Sequence, residues 1–472
     1  MRNEALIWDR VDAHREDLVG LADRVWGTPE TLYAEWRSSA EHAAMLRAKG
    51  FRVTEEAAGI PTAVVGEAGE GGPVIAILGE YDALPGLSQV AGIAEPKPVE
   101  AGGNGHGCGH NLLGAAALLA ATALKDWLAE TGTPGRVRYY GCPAEEGGAA
   151  KSFMVRAGLF DDVAAAITWH PAAMTRVDEA ESLANTRIDF TFTGRASHAA
   201  ASPHLGRSAL DAVELMSVGV NYLREHVPQE SRIHYAYLDA GGIAPNVVQA
   251  RAKVRYAVRS TTLDGMLALN ERVRKVALGA AMMTETDVDV RIVSAVSNML
   301  ANEPLRRAMQ AAFDALGGVA FDDADRDYAG RIQATLTEAD ILAEYRAAGL
   351  DPRKGEVLCD YVLPLDRRGQ KALASTDVAD VSWKTPTVEA RVATHAIGTP
   401  GHSWQITAQG KSPAAHKGMT HAAKVMAQTA TMLFADPALL DEARRDHARR
   451  LAARPYVCPI PDDVGPPLQP RP

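Results

Sequence analysis

The residues best suited to chemistry lie in a glycine-rich segment near position 105. His106, Cys108 and His110 stand at alternate positions between glycines, just before a helix predicted from Leu112 to Leu128. Thiolate and imidazole are ligands for zinc and similar ions, and the glycines let the backbone fold tightly around an ion. The segment therefore indicates a metal site, and the alternative is a flexible loop that carries a free thiol.

Two adjacent carboxylates, Glu145 and Glu146, follow a strand predicted over 136–140. One carboxylate can bind a metal ion while its neighbour transfers a proton, which is the division of labour that metal hydrolases need. The alternative for a Glu-Glu pair before two glycines is a solvated turn. His170 likewise ends a strand predicted over 164–169, where a structural role is the alternative.

The candidate residues share one position relative to the predicted strands. Asp82 follows the apolar run 74–78, and the other candidates also lie at carboxyl ends of strands or in the loops after them. Open α/β sheets build their sites at this rim, so the convergence predicts a metal-dependent hydrolase. His402, in Gly401-His402-Ser403-Trp404, and His416 are later histidines that could complete the site.

The elements that must position these residues alternate in type. Strand, helix, strand, helix, strand over the first part of the chain predicts an α/β fold with an open, mostly parallel sheet. Near residue 184 the pattern changes to period-two strands in β-α-β-β-α-β order, which predicts an inserted α+β, ferredoxin-like unit. We predict a catalytic domain over 1–183 and 299–472, with the insertion at 184–298 and a proline-rich, extended surface tail at the end.

Composition excludes several classes of protein. The 472 residues carry 49 Lys and Arg against 59 Asp and Glu, a net charge of −10, so a nucleic-acid-coating role is not expected. Four cysteines are too few for a disulfide scaffold. The N-terminus has acids where a signal peptide needs an apolar stretch, and the run Leu112 to Leu124 is too short to span a bilayer. We expect a cytoplasmic protein with neither a membrane nor a nucleic acid as partner.

An ordered set of motifs resembles the co-catalytic metallopeptidases of clan MH, which include aminoacylases, glutamate carboxypeptidases and amidohydrolases that act on p-aminobenzoyl-glutamate. The resemblance covers nearly the whole chain, including the tail. The motifs that carry it lie at 79–85, 107–111, 143–147, 194–199, 241–247, 375–383, 402–405, 417–419 and 454–461.

The resemblance implies a role for each matching residue. It implies Glu145 as general base and Asp82 as the group behind a metal ligand. It implies that His198 of the insertion reaches a partner's site and steadies the oxyanion, and that Asn246 and Arg259 bind a substrate carboxylate. The implied metal ligands are Cys108, His110, Glu146, His170 and His402, with His416 as the alternative to His402.

Two positions depart from the family pattern. Many relatives have histidine where this chain has Glu80, so the ligand set must depend on Cys108 and His110. Many relatives also have aspartate where this chain has Asn111, a change found in the p-aminobenzoyl-glutamate group.

The expected activity is hydrolysis of the amide bond of an N-acyl amino acid or dipeptide-like substrate. Two divalent metal ions per chain, zinc or manganese, would activate the water, and the resemblance implies a homodimer through the inserted domain, either alone or as part of a larger assembly. Three alternatives remain at this point: a cysteine hydrolase with Cys108 as nucleophile, an inactive regulatory or assembly subunit, and a hydrolytic deaminase of an aromatic amine.

Overall fold

The computed structural model describes residues 2–367, 369, 374–452 and 454–471. Eleven strands occur in these ranges: β1 (Arg52–Glu55), β2 (Val64–Glu70), β3 (Val74–Glu80), β4 (Gly135–Cys142), β5 (Val163–Ala172), β6 (Arg176–Val177), β7 (Ala184–Thr193), β8 (Arg232–Asp239), β9 (Arg251–Ser260), β10 (Asp287–Val296) and β11 (Thr387–Ala393).

Thirteen α-helices lie in the same ranges, and most of them pack around the first of two sheets. They are α1 (Arg2–Trp26), α2 (Trp36–Ala48), α3 (His110–Thr131), α4 (Ala150–Arg156), α5 (Ala209–Leu223), α6 (Leu263–Thr284), α7 (Glu303–Leu316), α8 (Asp323–Gln333), α9 (Glu338–Ala347), α10 (Val378–Lys384), α11 (Trp404–Gln409), α12 (Pro413–Ala435) and α13 (Pro437–Ala452).

The first sheet has seven strands in the order β1-β2-β4-β3-β5-β11-β6. The four neighbours β4, β3, β5 and β11 are parallel, and antiparallel pairs extend the sheet at both edges. Every residue of β3 is buried, which is the pattern of a strand covered on both faces. The predicted α/β fold with a mostly parallel sheet is confirmed, and the carboxyl ends of the central strands meet at one edge.

The helix α3 forms the centre of the catalytic core. It lies between α1 and α12 and packs on β3. It is long and apolar enough to cross a membrane, and 83% of its most apolar window is buried inside the fold. Its apolar character therefore matches its position in the core.

The second sheet is antiparallel, in the order β10-β7-β9-β8, with α5 and α6 on one face. Apolar side chains such as Phe190 and Val254 are buried with the two helices. Alternate residues of β7, Arg187 and Asp189, belong to the opposite face because side chains alternate along a strand. This β-α-β-β-α-β order confirms the predicted ferredoxin-like unit, whose strands run from Ala184 to Val296.

Two local features differ from the sequence-based expectation. Trp, Leu and Val at helix spacing predict a helical stretch over 9–50. This part of the chain consists of two helices, α1 and α2, because Gly27 and Pro29 interrupt the helical backbone. The tail after Arg454 is extended as expected, but it is not simply a surface segment. Ile460 is buried in the core, and Arg156 of α4 donates hydrogen bonds to the carbonyls of Pro461 and Val464.

Candidate functional site

The edge of the first sheet carries most of the candidate residues. Asp82 follows β3, and Glu145 and Glu146 follow β4. His170 lies near the end of β5, and His110 is the first residue of α3. Gly109 precedes that helix with a φ of 78°, a conformation that glycine adopts without strain. The parallel order of the strands therefore brings residues from distant parts of the chain to one place.

Five side chains at this edge form two overlapping groups of potential ligands. The ligand atoms of Cys108, His110 and His170 lie within 4.8 Å of one another, and so do those of Cys108, Glu146 and His402. Cys108 Sγ lies 3.4 Å from His170 Nε2, and His402 Nε2 lies 3.3 Å from Glu146 Oε1. Thiolate, imidazole and carboxylate donors at this spacing fit a divalent transition-metal site.

Asp82 links the two groups through its two carboxylate oxygens. Its Oδ1 lies 2.8 Å from His110 Nδ1, and its Oδ2 accepts a hydrogen bond of 2.9 Å from the Glu146 backbone N–H. A carboxylate at Nδ1 fixes the ring orientation and leaves Nε2 as the atom that faces the site. Asp82 thus has the contacts of a residue that orients a ligand.

The turn that carries Glu145 is held from behind by the connection between α1 and α2. Glu35 accepts a hydrogen bond of 3.1 Å from the Ala144 N–H, and the Tyr33 hydroxyl donates one of 2.8 Å to the Gly148 carbonyl. Ala144 has a φ of 55°, a left-handed conformation that costs energy for a residue other than glycine. Burial, with the charge of Asp82, raises the pKa of Glu35 to about 8.

The environment separates the two glutamates of the pair. Burial raises the pKa of Glu145 well above its usual value, and the charges of Glu80 and Glu146 add to this effect. Burial acts on Glu146 in the same direction, but the contact with His402 and the charge of His110 outweigh it and lower its pKa. Neighbouring groups whose pKa values are pushed apart are typical of acid–base pairs in enzymes.

Cys108 has a histidine close to its thiol, as the alternative of a cysteine hydrolase requires. His170 Nε2, at 3.4 Å from the thiol, is the nitrogen that could serve as its base. Burial, together with the charge of Glu146, raises the pKa of the Cys108 thiol to about 12. Since the thiolate is the nucleophile, this environment disfavours a cysteine hydrolase.

The three remaining histidines considered from the sequence have different positions. His402 has a φ of 55° and donates its backbone N–H to the Gly107 carbonyl, which places it beside the glycine-rich loop. His416, the alternative, lies in the first turn of α12 and pairs with Asp23 of α1 at 2.9 Å. His106 is buried with its Nε2 on the Val25 carbonyl, outside both ligand groups.

A buried ion cluster behind the site was not expected from the sequence. Lys151 Nζ donates to Glu80 Oε1 at 2.6 Å and to Asp377 Oδ1 at 2.7 Å, and all three side chains are buried. Glu80 also lies 3.3 Å from His110 Nε2 and forms a third ligand group with His110 and Glu145. Glu80, which stands where many relatives have histidine, is therefore part of the site, and Lys151 is its counter-ion.

The three candidates in the inserted unit do not lie together. Arg259, near the end of β9, lines the same cavity as Glu145 and His402, a space of about 440 Å³ between the two sheets. Asn246 precedes the start of β9 and accepts a hydrogen bond from Ala199, next to His198. Since β9 rises about 3.4 Å per residue, Arg251 at its start lies roughly 27 Å from Arg259, and Asn246 and His198 adjoin the Arg251 end.

The fold and the site define a class of protein. A sequence profile described as peptidase family M20/M25/M40 matches residues 76–336. The chain belongs to this family and is a hydrolase of amide bonds.

Similarity to one relative extends over nearly the full chain. The chain is 47% identical over 468 residues to a subunit of p-aminobenzoyl-glutamate hydrolase from Escherichia coli (strain K12), and the match covers 97% of each chain. Among solved structures, a putative aminohydrolase from methicillin-resistant Staphylococcus aureus has a TM-score of 0.65 at 14% identity, over 93% of this chain and 100% of that one.

A second solved structure has a description that mentions metal. The Bacillus subtilis YXEP protein, described as a dinuclear metal binding peptidase from the M20 family, has a TM-score of 0.56 at 18% identity. The match covers 90% of this chain and 99% of that chain. Both structural likenesses show the fold.

Proposed function

We propose that the protein hydrolyses the amide bond of an N-acyl amino acid of the p-aminobenzoyl-glutamate type, with two divalent metal ions and Glu145 as general base. The single observation that carries this proposal is the pair of overlapping ligand groups beside a partly buried glutamate, Glu145, in a cavity between the sheets. The full-length similarity to the E. coli hydrolase chain supports the substrate class.

The donor atoms fit divalent metal ions. His110 Nε2 and Glu146 Oε1 are buried and have no well-directed hydrogen bond to any residue that the structure describes. Buried polar atoms without partners are rare in folded proteins and often mark the place of an ion. Cys108, His110, Glu146, His170 and His402 would hold the ions, and this mixture of sulfur, nitrogen and oxygen suits zinc, with manganese as the second candidate.

The chain's own residues divide the work of hydrolysis. Bound metal ions would lower the pKa of a water molecule and polarise the substrate carbonyl. A Glu145 carboxylate oxygen accepts the proton of the attacking water and then delivers it to the leaving nitrogen. Asp82 keeps the His110 ring in place, and the hydrogen bonds from Tyr33 and to Glu35 hold the Glu145 turn.

A second copy of the chain is the partner that we propose for the inserted unit. β8 is an edge strand of the second sheet, and α5 is the helix that lies nearer to this edge. Unpaired edges next to apolar surface are the features of a pairing site, and two-fold dimers are the commonest assembly. The exposed apolar side chains here are Leu215, Val218 and Tyr222 of α5, and Tyr235, Tyr237 and Leu238 of β8.

His198 is the residue that this dimer would contribute to the neighbouring site. Its Nδ1 accepts hydrogen bonds from the backbone N–H groups of Ala200 and Ala201 at 3.2 and 3.1 Å. The neutral ring then carries its proton on Nε2, which is the donor that an oxyanion requires. The large separation between His198 and the cavity of its own chain supports a role in the partner's site.

Two further features support the domain division and the cellular location that we propose. The bounds of the second sheet support an inserted domain over 184–298 between catalytic parts at 1–183 and 299–472. All four cysteines are free, which fits a reducing compartment and supports the cytoplasm.

The decisive experiment is hydrolysis of p-aminobenzoyl-glutamate by the purified chain with added Zn²⁺ or Mn²⁺. We expect equimolar release of p-aminobenzoate and glutamate, measured by mass spectrometry, and loss of activity with a chelator. The Glu145→Gln variant is the control for contaminating hydrolases.

Other outcomes would favour the alternatives. Release of ammonia without amide cleavage would indicate the deaminase. Two bound metal ions without turnover would indicate an inactive assembly chain, an interpretation that the word subunit in the name of the E. coli relative favours.

A further inference from the structure

Arg187 is a cavity residue to which the sequence analysis assigned no role. It lies on β7, on the sheet face opposite α5 and α6, and lines the cavity beside Glu145. Its Nη2 donates a hydrogen bond of 3.0 Å to the Glu146 carbonyl. A Cβ at Gly147 would lie 2.5 Å from Arg187 Nη1, so a residue without a side chain leaves space for this guanidinium. Arg187 therefore reaches the edge of the metal-ligand groups.

Arg259 lies next to Arg187 on the neighbouring strand. In the β7–β9 ladder Arg259 is opposite Asn185, two residues before Arg187 on the same face. Arg259 Nη1 donates to Ser375 Oγ at 3.0 Å, while its Nε is buried without a partner in the described ranges. Burial and the charge of Arg259 lower the pKa of Arg187, which agrees with two guanidinium groups at close range.

Neither guanidinium forms an ion pair with any residue that the structure describes. Other arginines near the cavity do: Arg255, on the same sheet face, pairs with Asp189 at 2.6 Å, and Arg391 pairs with Asp178 at 2.8 Å. Both side chains are partly buried, and two positive charges at close range without a salt-bridge partner in the described ranges are costly. An anionic ligand between them would lower this cost.

We propose that Arg187 and Arg259 form a two-guanidinium site that binds the two carboxylates of an acidic amino acid in the leaving half of the substrate. Arg187, beside Glu146, takes the carboxylate nearer to the scissile bond, and Arg259, with Ser375, takes the other. Arginine suits both positions because its planar fork can hold a carboxylate with two parallel hydrogen bonds. This inference rests on the proposed function and makes Arg187 the companion of Arg259 within one chain.

Paired substrates test the proposal on the metal-loaded full chain. Acyl-glutamate has both carboxylates, and acyl-glutamine and acyl-glutamate α-amide each lack one. Arg187→Ala should lower kcat/KM about 10- to 100-fold for acyl-glutamate, mainly through KM, because a charge-assisted hydrogen bond is lost. It should have little effect on the α-amide, whereas Arg259→Ala should spare acyl-glutamine. Equal losses on all three substrates would overturn the proposal.

Two variants control for damage to the fold. Arg187→Lys keeps the charge without the fork and should lie between wild type and Arg187→Ala for acyl-glutamate. Arg255→Ala removes an arginine of the same sheet face, whose partner Asp189 keeps Lys253. This variant should retain the preference for acyl-glutamate over its α-amide. Loss of that preference in Arg255→Ala would contradict a specific role for Arg187.

Direct binding separates this inference from the proposed function. Calorimetry on the metal-loaded protein should show that L-glutamate binds more tightly than L-glutamine, that Arg259→Ala removes the difference, and that Arg187→Ala weakens the binding of both ligands. If no amide is hydrolysed but this pattern holds, the proposed function fails and the two-guanidinium site stands. If amides are hydrolysed but the two ligands bind equally well, the proposed function stands and the two-guanidinium site is wrong.

Discussion

At the scale of single residues, the site depends on two adjacent glutamates that differ only in their surroundings. The backbone N–H of Glu146 is fixed by Asp82, and its carboxylate faces His402. Glu145 is partly buried and has no such partner among the described residues, and the carboxylates of Glu80 and Glu146 lie near it. The same chemical group can therefore act as a ligand at one position and as a proton carrier at the next.

Exchanging each glutamate for glutamine should separate these roles. We expect Glu145→Gln to keep its metal ions and to lose about 10²- to 10⁴-fold in kcat, the usual contribution of a positioned general base. Glu146→Gln should lose metal as well as activity, because a neutral amide is a weaker ligand than a carboxylate. Elemental analysis and kinetics on the same preparations measure both effects. A Glu145→Gln variant as active as wild type would rule out the assignment.

Lys151 is the second residue whose role is open to test. Changing it to methionine keeps the volume but leaves Glu80 and Asp377 buried without their counter-ion. Removing one partner of a buried ion cluster costs about 3–5 kcal/mol, so the free energy of unfolding in urea should fall by that amount. Lys424→Met is the matched control, since it breaks a more exposed pair with Asp12 worth about 1 kcal/mol or less. Equal losses in the two variants would contradict a structural role for the cluster.

At the scale of elements, α5 has two different faces. Val213 and Val220 are buried against the sheet, whereas Val218 and Tyr222 on the other side are 51% and 76% exposed. Residues four apart lie on one side of a helix, so these two side chains form a continuous apolar strip beside the edge strand β8. A continuous apolar strip on the surface is more typical of a protein–protein interface than of a surface that stays in contact with solvent.

Charges on this strip should therefore disrupt the dimer. We expect the Val218→Glu, Tyr222→Glu double variant to be monomeric in light scattering at concentrations where wild type is dimeric. Each new carboxylate would be buried against apolar surface without a partner. Met282→Glu on α6, at a position that is 82% exposed, is the control and should remain dimeric. A wild-type monomer, or a dimer that survives both changes on α5, would exclude this interface.

At the scale of the whole molecule, each active site would need two chains. Arg187 and Arg259 lie at the end of the inserted sheet that faces the cavity, and His198 lies at the other end. A hinge between the domains moves the sheet as a body and does not bring both ends to the same cavity. In the dimer that we propose, a complete site would combine the cavity of one chain with His198 of the other.

Mixing two inactive variants tests this sharing. After exchange of chains between dimers, His198→Ala and Glu145→Gln chains should recover about a quarter of wild-type activity, because half of the dimers are mixed and one of their two sites is intact. A mixture of His198→Ala with the double variant His198→Ala, Glu145→Gln is the control and should stay inactive. No recovery despite proven exchange would place His198 in its own chain's site or outside catalysis.

The sequence predicts the local elements well and identifies the loops that carry the candidate ligands, because both depend on neighbouring residues. Buried strands, the glycine-rich loop before α3 and the β-α-β-β-α-β order are all visible as patterns. The cluster of Lys151, Glu80 and Asp377 is not, since Lys151 and Asp377 are 226 residues apart and nothing local marks a buried lysine. The separation of Asn246 from Arg259 could not be predicted for the same reason. It depends on the fold, in which the two residues lie near opposite ends of β9.

The position of β11 has a consequence for biosynthesis. β11 is the parallel neighbour of β5, and just before it Thr385 donates a hydrogen bond to the Val163 carbonyl, 222 residues earlier in the chain. At a synthesis rate of about 5–20 residues per second, roughly 10–40 s pass between these two segments. The whole inserted domain emerges from the ribosome in that interval. The inserted domain can fold through its own local contacts before β11 has been synthesised. Until then the apolar edge of β5 remains exposed and can bind chaperones.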